Sequence, residues 1–103
     1  MKNQEILGLL VNSDKHFDWV MSLSGAASGK GKSVKIHMMS AGVALINFQG
    51  YALLTRMASL TICAASLAKW DSQKRFVVPD GTAIVPPKGL VTFFQVCNRY
   101  VVF

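Results

Sequence analysis

The sequence predicts a three-layer α/β/α fold on a mostly parallel sheet of about five strands. Three observations carry that expectation. Short apolar runs recur along the chain, and the first, Ile6 to Val11, is continuous rather than alternating, as a strand covered on both faces requires. The stretches between them place apolar residues at helical spacing. The links are short and punctuated by glycine, proline or small polar residues. A chain of 103 residues has room for one domain, taken as residues 1–103.

The first apolar run, Ile6-Leu7-Gly8-Leu9-Leu10-Val11, reads as a central strand. Asn12-Ser13-Asp14 stops it, and Ser13 or Asp14 can cap the helix in which Phe17, Val20, Met21, Leu23 and Ser24 recur at helical spacing. Gly29-Lys30-Gly31 ends that helix, since glycine tolerates the left-handed conformation there. Val34 to Met39 is the second strand, followed by Ser40-Ala41-Gly42 as a tight turn and a short helical or irregular piece over Val43 to Ile46. Tyr51 to Met57 adds a helical turn or two. Leu60-Thr61-Ile62-Cys63, rich in β-branched residues, is the third strand, and Ala64 to Lys69 opens a helix directly behind it. Pro79-Asp80-Gly81 is a strong turn signal flanked by the runs Phe76 to Val78 and Thr82 to Val85. Pro86-Pro87 ends that excursion, Gly89 to Val96 is the last helix, and Tyr100 to Phe103 closes the sheet.

Composition bounds the function classes. Apolar residues make up 51% and charged residues 16%, which excludes intrinsic disorder. Eleven Lys and Arg against five Asp and Glu give a net charge of +6, which raises the question of nucleic acid. The basic clusters at Lys30, Lys32 and Lys35 and at Lys69, Lys74 and Arg75 interleave no aromatics, so no base-stacking platform is expected and a solvated surface explains them. The uncharged stretch between Lys35 and Arg56 is broken by His37, Ser40, Asn47, Gln49, Gly42 and Gly50, so it does not read as a membrane span. The apolar run at Ile6 is too short for a secretory signal; a reducing cytoplasm is expected, with Cys63 and Cys97 as free thiols. So few charges on so small a domain predict an exposed apolar patch and a homo-oligomer.

Gly25 to Ser33 looks like a phosphate-binding loop at a glance. Its first glycine position is Ala26, and it closes a helix and precedes a strand, the reverse of the arrangement that aims backbone amides at a phosphate. His16 and His37 lie far apart with no Cys, Asp or Glu at ligand spacing, so no metal is expected. The sequence also lacks a glycine-flanked serine elbow.

The candidate catalytic residue is Cys63. It stands where the third strand ends and a helix begins, the edge of an open α/β sheet at which ligands bind. Amides at a helix start stabilise a thiolate, the species that attacks sulfur. The bland alternative is a buried cysteine acting as a small hydrophobe. Cys97, at a helix end beside Asn98 and Arg99, reads as structural.

Three segments together resemble the DsrE/DsrF/TusD family of small sulfur-relay proteins. They are Ile6 to Lys32 followed by Val34 to Val43, which is similar to the family's second strand and Gly-Val turn; Leu60-Thr61-Ile62-Cys63-Ala64-Ala65-Ser66-Leu67; and Cys97-Asn98-Arg99-Tyr100-Val101-Val102-Phe103. The resemblance implies a parallel sheet with helices on both faces, a trimer or hexamer with sites near subunit contacts, and Cys63 as the persulfide-carrying cysteine. Asn98 departs from it, standing where Asp is frequent, and the stretch from Trp70 to Lys88 lacks the Gly-rich pattern expected after the cysteine. Two functions are therefore expected to compete. One is a sulfur carrier that takes sulfane sulfur from a donor protein and passes it to an acceptor protein. The other is a non-catalytic oligomeric module that binds a small ligand or partner on the same fold.

Overall fold

In the computed structural model, which describes residues 5–103, five strands alternate with helices. The strands are β1 (Ile6–Val11), β2 (Ser33–Met38), β3 (Ser59–Cys63), β4 (Thr82–Val85) and β5 (Arg99–Val102). The helices are α1 (Phe17–Gly29), α2 (Tyr51–Leu54), α3 (Ala64–Trp70) and α4 (Gly89–Val96), with a 3-10 helix over Ser40–Asn47. All strand pairs are parallel, in the order β4-β3-β2-β1-β5. The predicted α/β class and strand count hold, and the sheet is wholly rather than mostly parallel.

That order decides where the helices go. The chain steps one place in the same direction from β1 to β2, β3 and β4, then crosses back over the sheet to β5. Right-handed crossovers therefore put α1, the 3-10 helix, α2 and α3 on one face and α4 alone on the other. Leu9, Val11, Ile36, Met38, Leu60 and Ile62 meet Phe17, Val20, Val43, Leu45, Tyr51 and Leu54 in the main core of the first face. The second face carries Gly8, Leu10, Lys35, His37 and Thr61, which alternate with those core residues along the strands. Phe93 of α4 is fully buried against it, and α4 lies so close that a Cβ on Gly8 would sit 2.6 Å from both the Phe93 ring and the Cys97 sulfur.

One local expectation changes, and one left open is decided. Helix α1 starts at Phe17 after His16, without a side-chain cap; Ser13 Oγ instead accepts the Lys15 amide at 3.1 Å, which spends it on the turn before the helix. Of the two runs flanking Pro79-Asp80-Gly81, only Thr82–Val85 is a strand. The Asp71 carboxylate takes the amides of Arg75 and Phe76 at 2.7 and 2.9 Å, which folds Phe76 to Val78 into a loop. The glycine end of α1 is as expected: Gly31 adopts φ +78° while the amides of Lys30 and Lys32 return to the Ala27 carbonyl.

Where β2 turns into the 3-10 helix, Gly42 lies against β1. A Cβ there would collide with the Val11 carbonyl, a backbone group that cannot move aside, since it also accepts the Met39 amide at 3.0 Å. Gly42→Ala is expected to lower stability by about 3 kcal/mol in denaturant unfolding. Gly29→Ala, whose Cβ meets open space at the end of α1, is expected to be neutral or slightly stabilising.

Candidate functional site

Parallel strands bring five carboxyl ends to one edge of the sheet. The connections leaving β3 and β4 depart to opposite faces, so the topological switch point falls between those two strands. Cys63 ends β3 and pairs in register with Val85, which ends β4. The expected candidate thus stands at the switch point and is also the residue that precedes α3.

Cys63 is only 5% exposed. Burial pushes its thiol pKa up, but the pull of the nearby Ser66 amide and hydroxyl and of the Ala65 amide outweighs burial and holds it below the ordinary cysteine value, although Cys63 makes no side-chain capping hydrogen bond to α3. Ser66 is itself oriented. Its Oγ accepts the Ser40 amide at 2.9 Å, so its hydroxyl proton is not spent on that contact. Ser40 holds that position at φ +52°, a left-handed conformation that a non-glycine residue adopts at a cost, here at the first residue of the 3-10 helix. The arrangement can stabilise a thiolate or a persulfide anion on Cys63.

Cys97 does not join this site. It caps the carboxyl end of α4 and packs beside Gly8, which is level with Lys35 and, across the sheet, with Ser59. Cys63 lies four residues further along β3, roughly 13 Å in the strand direction. Both cysteines are free thiols. Burial raises the Cys97 pKa, and the Lys35 charge offsets part of that rise.

The structure adds residues that the sequence did not single out. Ser66 and Ser40 are local to Cys63, yet nothing in their spacing marks one as oriented by the other. On the second face of the middle strand, His37 is 1% exposed. Its Nδ1 lies 2.7 Å from Thr61 Oγ1, while its Nε2 is buried with no hydrogen-bond partner. Burial, assisted by the Lys35 charge, lowers the His37 pKa below the ordinary histidine value. Among the described residues, no three of His, Cys, Asp and Glu converge as a metal site, and no helix is long and apolar enough to cross a membrane.

No family model and no curated protein matches the sequence. Among solved structures, the chain has the fold of the crystal structure of the ychN protein from E. coli, with a TM-score of 0.70 over 98% of this chain and 100% of that one, at 11% identity. At that identity the likeness establishes architecture and leaves the chemistry to the residues of this chain.

The histidine gives a test of the second face. With its folded pKa depressed, His37 stays neutral where an unfolded chain would already be protonated, so the unfolded state binds more protons and stability rises with pH through that window. Stability measured by denaturant unfolding is expected to be level above pH about 6.5 and to decline below it. His37→Gln should remove that slope.

Proposed function

We propose that this protein is a cytoplasmic sulfur carrier in which Cys63 holds sulfane sulfur. The observation that carries the reading is the position of Cys63 at the switch point of the sheet and the start of α3, where Ser66 and Ala65 hold its thiol below the ordinary cysteine value. In the transfer, the Cys63 thiolate attacks the outer sulfur of a donor persulfide. A new S–S bond forms, the donor's S–S bond breaks, and the donor leaves as a thiolate, with no net oxidant or reductant consumed. Passing the sulfur to an acceptor thiolate repeats the exchange in the opposite sense. Neither step calls for a metal or organic cofactor. The resemblance of residues 60–67 to the strand and cysteine of the DsrE/DsrF/TusD family supports the same assignment.

A trimer or hexamer accompanies this proposal. Phe94, Val96, Tyr100 and Val102 are large apolar side chains left exposed on α4 and β5, and a second copy is the natural cover for such a surface. A light-scattering mass of the purified chain tests it; a monomer at micromolar concentration would end this part.

A second reading, a non-catalytic binding module, is favoured by the near-complete coverage of Cys63. Alkylation by a small reagent across a pH series separates the two. Under the carrier reading, Cys63 reacts with a midpoint below that of free cysteine and ahead of Cys97, whose pKa is shifted the other way. Ser66→Ala should move the Cys63 midpoint upward, and treatment with a persulfide donor should add about 32 Da to the native protein but not to Cys63→Ser. A thiol at position 63 that stays inert in the native state assigns the protein to the module.

A further inference from the structure

We propose that the cleft between α4 and the second face of the sheet binds a small organic oxyanion, its charged head on Lys35 and Lys88 and its apolar body against Val85, Pro86 and Val91. The cleft has a volume of about 440 Å³, larger than an inorganic oxyanion needs and within the range of small-ligand sites.

The first argument is the lysine in the middle of the sheet. Strand β2 is the central strand of five, and central strands of parallel sheets are apolar on both faces. Here one face of β2 carries Lys35 and His37 two residues apart, with Thr61 beside them on β3. A lysine so placed is expensive unless its charge meets water or an anion. The cleft brings Lys35 together with Lys88, and no carboxylate lines it. Among the described residues the only ion pair joins Lys32 to Glu5, neither of which lines the cleft. Two cations therefore share one cavity without a counter-charge.

The second argument is His37. Thr61, which hydrogen-bonds its Nδ1, lines the cleft, as does Gly89, where a Cβ would lie 4.0 Å from the imidazole Cε1. The ring is bracketed by the cleft's own wall residues, and its Nε2 is one of two buried side-chain polar atoms without a partner among the described residues, the other being Ser24 Oγ on the first face. Thr92 also lines that wall, whereas the Thr61 hydroxyl is engaged with His37 Nδ1 and the Ile36 carbonyl. The backbone amides at the start of α4 do not take part. Those of Gly89, Leu90 and Val91 already donate to the carbonyls of Pro86, Pro87 and Lys88, so recognition rests on side chains.

The site is independent of sulfur chemistry, and the test keeps the two apart. Backbone amide chemical shifts are followed while phenyl phosphate, inorganic phosphate or phenol is added to the full chain. Phenyl phosphate is expected to give saturable shifts clustered at Lys35, Thr61, Gly89 and Thr92, with inorganic phosphate binding at least fivefold more weakly and phenol giving none of this pattern. Lys88→Gln, a loop substitution that leaves the sheet intact, should weaken binding at least fivefold, as should Lys35→Gln; Cys63→Ser should leave it unchanged. No saturable shift below about 10 mM, equal response to phenol, shifts scattered over Lys30, Lys69 and Lys74, or unaltered binding in the doubly substituted chain would each overturn the proposal.

Discussion

The handedness of one crossover governs what this molecule presents to its surroundings. Three steps in one direction stack α1, the 3-10 helix, α2 and α3 over a single face, and the return from β4 to β5 leaves α4 to cover the other by itself. The same reversal opens the carboxyl edge between β3 and β4, where Cys63 and Val85 stand side by side. It also leaves the second face half-covered, with Lys35, His37 and Thr61 along the margin of α4. Both proposed sites are consequences of a connection whose hand is set by strand twist.

At Cys63 two opposing effects are balanced, and the sign of the balance is informative. Burial alone favours the neutral thiol, which is how a cysteine serving as core filler behaves. The Ser66 and Ala65 donors beside Cys63 tip the balance the other way, toward the thiolate. Their geometry depends on a residue 26 positions upstream: Ser40 at positive φ fixes Ser66, and Ser66 addresses Cys63. The strained conformation at Ser40 thus has a use at a different strand end. Coverage is a separate matter from charge, since a buried thiolate needs a route of approach and an exposed thiol needs a reason to ionise.

Much of the architecture was legible in the residues because the local signals agree with one another. A continuous apolar run marks β1 and short runs rich in apolar or β-branched residues mark β2 and β3; Gly29 and Gly31 mark the end of α1; Cys63 followed by Ala64 marks a strand-to-helix junction. The parts that were not legible involve partners remote in sequence. Nothing near Phe76 announces that Asp71 will capture its amide, and nothing near Ser66 announces Ser40. Lys35 and His37 were visible as polar interruptions in an apolar strand. Their significance depends on β2 occupying the centre of the sheet, and strand order is a property of the assembled fold.

The uncovered margins on either side of α4 differ in chemistry, and that difference assigns them to different occupants. An eight-residue helix is roughly 12 Å long and 10 Å across, whereas five strands span roughly 19 Å between the axes of the outermost pair; α4 cannot cover the second face. Toward β5 the leftover surface is Phe94, Tyr100 and Val102, which water hydrates poorly and a protein surface covers well. Toward β3 and β4 it is Lys35, Lys88, Thr61 and Thr92, which a protein core would be obliged to neutralise. An apolar margin can be closed by another subunit at little desolvation cost. A doubly cationic one is better matched by a mobile anion, because closing it with apolar protein would strand two charges, and leaving it to solvent makes no use of the cavity beside His37.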